Sequence, residues 1–111
     1  MARIYLTFTL SKHVGFPPAN CIAAVDIDGD EQPDAGEWLR MKRSKLKWTG
    51  SKETGRGSGD DLLVMVAYVG TIGAKFKLVA RMGKADGDVV GEVAGTVVQS
   101  PASIWLWCSE S

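Results

Sequence analysis

Arg3-Ile-Tyr-Leu-Thr-Phe-Thr-Leu10 (RIYLTFTL) alternates strictly: Ile4, Leu6, Phe8 and Leu10 fall on one side, Arg3, Tyr5, Thr7 and Thr9 on the other. Residues two apart share a face only in an extended chain, so the octet reads as a strand with one apolar face. The same period returns in Ala74–Ala80, where Phe76, Leu78 and Ala80 face away from Lys75, Lys77 and Arg81. It returns again in Ser103–Ser109, with Trp105 and Trp107 opposite Ile104, Leu106 and Cys108. Asn20–Ile27 is a short apolar run, most simply a second strand. Asp61–Val69 (DLLVMVAYV) is apolar on both faces and short, which predicts a central strand. Pro17-Pro18, Gly70–Gly73 and Asp86-Gly87 punctuate these runs, the last being a hairpin signal. In Val89–Val98, Gly91 and Gly95 share a face with Val89, Val93 and Val97. Glycines there predict a bulge or the close approach of another backbone.

The expected fold is all-β: a single domain over residues 1–111, built as an antiparallel β-sandwich or small barrel of about seven strands. A chain of 111 residues should bury roughly two-thirds of its unfolded surface. Its 45% hydrophobic content excludes disorder, and thirteen bases against thirteen acids exclude a uniformly basic surface. One segment resists the pattern. Glu37–Trp48 carries charges on both strand faces, whereas a helix would gather Trp38, Leu39, Met41, Leu46 and Trp48 on about half of its circumference. A short helix at 37–47 is therefore the alternative there. Gly50–Gly59 (GSKETGRGSG) is a linker loop by composition; no Gly-Lys-Ser/Thr follows it, as a phosphate-cradling loop requires.

Chemistry concentrates in Asp26-Ile-Asp-Gly-Asp-Glu-Gln-Pro-Asp-Ala-Gly-Glu37. With Asp26 as position 1, side-chain oxygens from Asp26, Asp28, Asp30, Asp34 and Glu37 fall at positions 1, 3, 5, 9 and 12, and Gln32 offers a carbonyl at 7. A hard divalent cation wants six to eight such oxygens wrapped by a short chain. The stretch resembles EF-hand and dockerin-type calcium loops, and its first nine residues are similar to the calcium hairpins of integrin-type propellers. The resemblance implies calcium as cofactor and these six residues as its ligands. It departs at Glu31, where EF-hands turn on glycine, and at Pro33, which lacks an N–H. The competing reading is a solvated acidic turn.

The next segment has the opposite sign. Residues 26–37 hold six acids and no bases; residues 40–56 hold seven bases against Glu53. Arg40, Lys42, Arg43, Lys45 and Lys47 form a candidate anion site, and Trp38 and Trp48 at its ends are candidate stacking residues. The plainer reading is that the basic segment neutralises the acidic loop. Trp105 and Trp107 form a second candidate ligand platform or a packing face. Cys21 and Cys108 read as buried free thiols, with a disulfide as the alternative. His13 is the sole histidine, so no catalytic constellation is marked and an enzyme is not expected.

Met1–Leu10 alternates where a secretion signal would be continuously apolar, which leads to the expectation of an intracellular chain or one whose signal is not in this sequence. The functional expectation is a non-catalytic β-sandwich binding module for a carbohydrate or protein partner, calcium-dependent if the loop holds the ion. The alternative is a structural or assembly subunit, homo-oligomeric through its Trp and apolar faces. Nucleic acid is not an expected partner, and no apolar run reaches the ~18 residues of a membrane span.

Overall fold

The alternating octet becomes β1 (Arg3–Leu10), a strand with neighbours on both sides and its four apolar residues buried. A computed structural model describes residues 3–12, 21–26, 36–54 and 62–108. Within them follow β2 (Ile22–Val25), β3 (Trp38–Arg40), β4 (Lys42–Ser44), β5 (Lys47–Glu53), β6 (Leu62–Tyr68), β7 (Lys75–Met82), β8 (Asp88–Thr96) and β9 (Ala102–Cys108). Sheet A has the order β4-β5-β1-β7-β8 and sheet B the order β3-β2-β6-β9, with every pairing antiparallel. The two sheets pack together as a small β-sandwich.

Between the sheets, side chains from alternate positions interdigitate. Ile4, Leu6 and Phe8 of β1 meet Val64, Val66 and Tyr68 of β6, with Leu78 and Ala80 of β7 beside them. Phe8 anchors an aromatic cluster, its ring centroid 4.9 Å from Tyr68, 5.9 Å from Trp48 and 6.4 Å from Phe76. The apolar run of β6 is indeed a central strand, paired with β2 on one side and β9 on the other.

The segment that resisted the pattern contains no helix. It is two three-residue strands, β3 and β4, and the start of β5, which raises the count to nine strands among the described residues. Met41 alone separates β3 from β4, yet the two strands belong to different sheets. Its side chain is buried and its N–H donates to the Cys21 carbonyl at 3.1 Å. Tertiary pairing outweighs helical periodicity here: Lys42, Arg43 and Ser44 pair with Thr49, Trp48 and Lys47, closing a hairpin through Lys45 and Leu46. Lys45 has φ 57°, the positive value that two-residue hairpin loops demand.

Of the two readings of the β8 glycines the bulge holds, whereas what approaches Gly91 and Gly95 closely is side chains and not another backbone. Ala80 pairs with Gly91 but Arg81 with Val89, so Val90 is an extra, bulged residue. The bulge turns Val89 outward and Val90 inward, correcting the expectation that Val89 shares the inner face. Gly91 lies where a Cβ would come within 2.9 Å of Cys108 Sγ, and a Cβ on Gly95 would come within 2.9 Å of the Phe76 ring. The approach at Gly91 lets β8 lie against β9 at the border of the two sheets, and the one at Gly95 seats the Phe76 ring of β7.

Candidate functional site

The outer faces of the two sheets differ completely, and register explains how. On sheet B, Trp38 pairs with Ala24, Ala24 with Met65, and Met65 with Trp105, so these four residues form one rung across the sheet. The next rung is Arg40, Ile22, Ala67 and Ser103. In the other direction Leu63 pairs with Trp107. Ala24, Leu63 and Met65 are buried, whereas Trp38, Trp105 and Trp107 are 40%, 50% and 56% exposed. With ~250 Å2 per indole, these rings and Ile22 present on the order of 400 Å2 of apolar surface.

Two hollows open on this face and share Ile22. One, of about 360 Å3, lies among Ile22, Trp38, Leu39 and Arg40. The other, of about 300 Å3, lies beyond it among Ala67, Val69, Pro101 and Ser103. Small side chains at Ala67 and Ser103 keep the floor low, while Trp38 and Trp105 rise on the neighbouring rung. The face carries no lysine among the described residues; Arg40 is its cation.

The expected site residues are thus divided. Trp38, Trp105 and Trp107 come together, although Trp38 is distant in sequence from the other two. Trp48 does not join them. It is fully buried against Phe8, so it is a core residue and its expected ligand contact is corrected. Its indole Nε1 finds no acceptor among the described residues. The basic segment is likewise dispersed by strand alternation. Arg40 belongs to the outer face of sheet B, Lys42 and Lys47 to that of sheet A, Lys45 to the hairpin turn, and Arg43 to the side opposite Lys42. Beginning at Trp38, the chain runs away from the base of the acidic loop, leaving Lys45 at the far end of the hairpin.

The acidic loop joins β2 to the adjacent antiparallel strand β3, with Val25 N–H donating to the Glu37 carbonyl at 3.0 Å across its base. Its ends, Asp26 and Glu37, are both buried. Asp28, Asp30, Gln32 and Asp34 lie outside the described residues, as do His13 and the Asp60-Asp61 pair. Among the described residues no group of three acids, histidines or cysteines is placed to hold a metal ion.

The cysteines are free and buried. Ile22 is opposite Ala67 at one end of β6 and Cys108 opposite Leu62 at the other, so the thiols lie more than ~15 Å apart along the strand. A disulfide requires Cα atoms within about 7 Å. Burial pushes each thiol up to about 12, which keeps both protonated and poorly nucleophilic at neutral pH.

Reading by sequence alone missed Ala24, Leu63 and Met65, the floor between the tryptophans. Only the pairing of β2, β6 and β9 reveals that floor. In sheet A, the pairing of β4, β5, β1, β7 and β8 likewise places Lys75, Lys77 and Arg81 on the same face as Lys42 and Lys47. No family model, curated protein or solved structure matches this chain.

Proposed function

We propose that this chain is a non-catalytic binding module whose docking surface is the outer face of sheet B, and that its partner is a protein. The observation that carries this reading is the clustering of three half-exposed tryptophans around a buried aliphatic centre. Interface cores are enriched in Trp, Met and Arg and depleted in Lys and Glu, and that is the composition of this face. A neutral sugar stacked on indoles also needs hydrogen-bond groups beside its ring. Here the floor between Trp38 and Trp105 is Ala24 and Met65, which offer only aliphatic and thioether surface. Arg40, at the margin, favours a partner segment that combines bulky apolar side chains with a carboxylate.

A peptide-display selection on the wild-type chain, counter-selected on a Trp38→Ser/Trp105→Ser/Trp107→Ser variant, tests the proposal. Enriched peptides should carry clustered apolar residues with an acid and lose binding to the variant. Enrichment that survives the triple substitution overturns the assignment of the face. Preferential binding of neutral glycans on an array overturns the assignment of the partner. A stable dimer in sedimentation, abolished by the same substitutions, reassigns the face to self-assembly.

A further inference from the structure

The outer face of sheet A is the second unassigned surface, and its character is opposite. Six cations (Arg3, Lys42, Lys47, Lys75, Lys77 and Arg81) project there against two acids, Glu53 and Glu92. They come from four strands, β1, β4, β5 and β7, so no single segment of sequence announces them. Two of the six are already engaged. Arg3 Nε donates to Ser51 Oγ at 3.1 Å, and Arg81 Nη1 donates to the Gly87 carbonyl at 3.0 Å. Lys77 Nζ is 3.4 Å from Glu92 Oε1 in a half-exposed pair, the kind of contact that contributes little and exchanges readily.

The lysines surround hydroxyls. Thr9 sits on one rung between Lys47 and Lys77, which places those two Cα atoms ~10 Å apart, two strand spacings. Thr7 and Thr49 sit on the next rung beside Lys42. Adjacent to them a hollow of about 310 Å3 opens over Tyr5, Thr7, Thr49 and Ser51, closed on one side by Ala85 of the β7–β8 loop. The hollow lies toward the Ala85 end of the face, with Lys42 on its Thr7 rung, Lys47 and Lys77 one rung further and Lys75 beyond them. A hydroxyl-lined seat thus continues into a row of ammonium groups, which suits a chain that is both polyhydroxylated and anionic.

We infer that this face binds a linear sulfated polysaccharide, one sugar seated in the hydroxyl hollow and the sulfates of the sugars that follow held by Lys42, Lys47, Lys77 and Lys75. Charge complementarity selects an anionic polymer. The rest of the face decides which kind. Single-stranded nucleic acid uses several aromatic platforms for base stacking, and among the described residues Tyr5 is the only aromatic on this face. A lipid surface calls for apolar side chains that insert, and the outer face of β1 and β5 offers Thr, Ser, Lys, Arg and Glu with Tyr5, the apolar Val79 and Val89 lying apart on β7 and β8. The site is separate from the tryptophan face and does not depend on its assignment.

Heparin is the probe, measured by calorimetry and by elution salt from a heparin column. The wild-type chain should bind at ~50 mM salt and release as salt rises. Lys47→Gln/Lys77→Gln should weaken binding at least ~10-fold, while Arg40→Gln/Arg43→Gln, an equal change of net charge off the face, should stay within ~2-fold. Thermal melts of all four proteins confirm that the variants fold. Trp105→Ser/Trp107→Ser should leave heparin affinity unchanged. Failure of the wild type to bind heparin, or equal losses in the lysine pair and the arginine pair, overturns the site. Displacement of heparin by polyuridylate, or by phosphatidylserine vesicles, at equal charge concentration overturns the sulfated-glycan assignment.

Discussion

Replacing Gly91 by Ala inserts one methyl where two sheets nearly touch. The new Cβ would lie 2.9 Å from Cys108 Sγ, 3.2 Å from Leu106 Cδ2 and 3.3 Å from Leu106 Cγ. Favourable contact between carbons begins at ~3.5 Å, so the methyl overlaps the sulfur by about half an ångström and crowds the leucine. Overpacking of this kind costs ~1–3 kcal/mol. Alanine recovers ~0.5–1 kcal/mol by restricting the unfolded chain, which leaves a net loss of about 0–2.5 kcal/mol. Removing the sulfur should remove most of the clash. In a Cys108→Ala background, Gly91→Ala should therefore cost at least ~1 kcal/mol less than in the wild type. Urea unfolding followed by tryptophan fluorescence, with the four members of the cycle fitted at a common slope, measures the difference. Additivity within ~0.5 kcal/mol would refute the proposed contact between β8 and β9. A stabilising Gly91→Ala in the wild type would refute it too.

Three further outcomes are expected. Lys45→Gly should raise stability by about 0.5–1 kcal/mol, because φ 57° is strained for a side-chain-bearing residue; a lower urea midpoint contradicts this. Trp48→Ala should cost ~3–5 kcal/mol, whereas Trp107→Ser, from the exposed face, should cost ~1 kcal/mol or less; comparable losses would mean the two faces have been misassigned. Raising the pH should destabilise the fold. The buried thiols titrate at about 12 in the fold and near 8.5 when unfolded, so their contribution is complete below pH 8 and lost as the pH rises. The loss should reach about 1–2 kcal/mol per thiol at pH 10. A Cys21→Ala/Cys108→Ala variant should have a flatter dependence between pH 8 and 10, and an unchanged slope excludes the thiols as the cause.

Period-two patterning made β1, β7 and β9 legible because each buries one face behind regular alternation, and β6 was legible as a short run apolar on both faces. It failed at Glu37–Trp48 for a physical reason. Met41 is where the chain crosses between sheets, so the inner face before it and the inner face after it belong to different planes, and no single period describes the segment. The three exposed tryptophans were individually visible as candidates. Their assembly with Ala24, Leu63 and Met65 was not, because cross-strand neighbours are fixed by register and register is not local. Trp48 shows the converse: at the end of a basic run and next to Lys47, it looks solvent-facing in sequence, yet alternation within β5 sends Lys47 and Trp48 to opposite sides.

The crossing at Met41 has a consequence for how this protein can change over generations. Trp38 and Arg40 decorate one exterior and Lys42 and Lys47 the other, so one short stretch of gene writes to both surfaces. Substitutions at those outward positions can alter either surface independently, since none of the four side chains belongs to the core. Length is another matter. Adding or deleting one residue between β3 and β4 would rotate Lys42 toward the interior and Arg43 outward, and would pull Met41 from its seat. The outward positions of the segment should therefore vary freely, while Met41 and the length of the crossing should hardly vary at all.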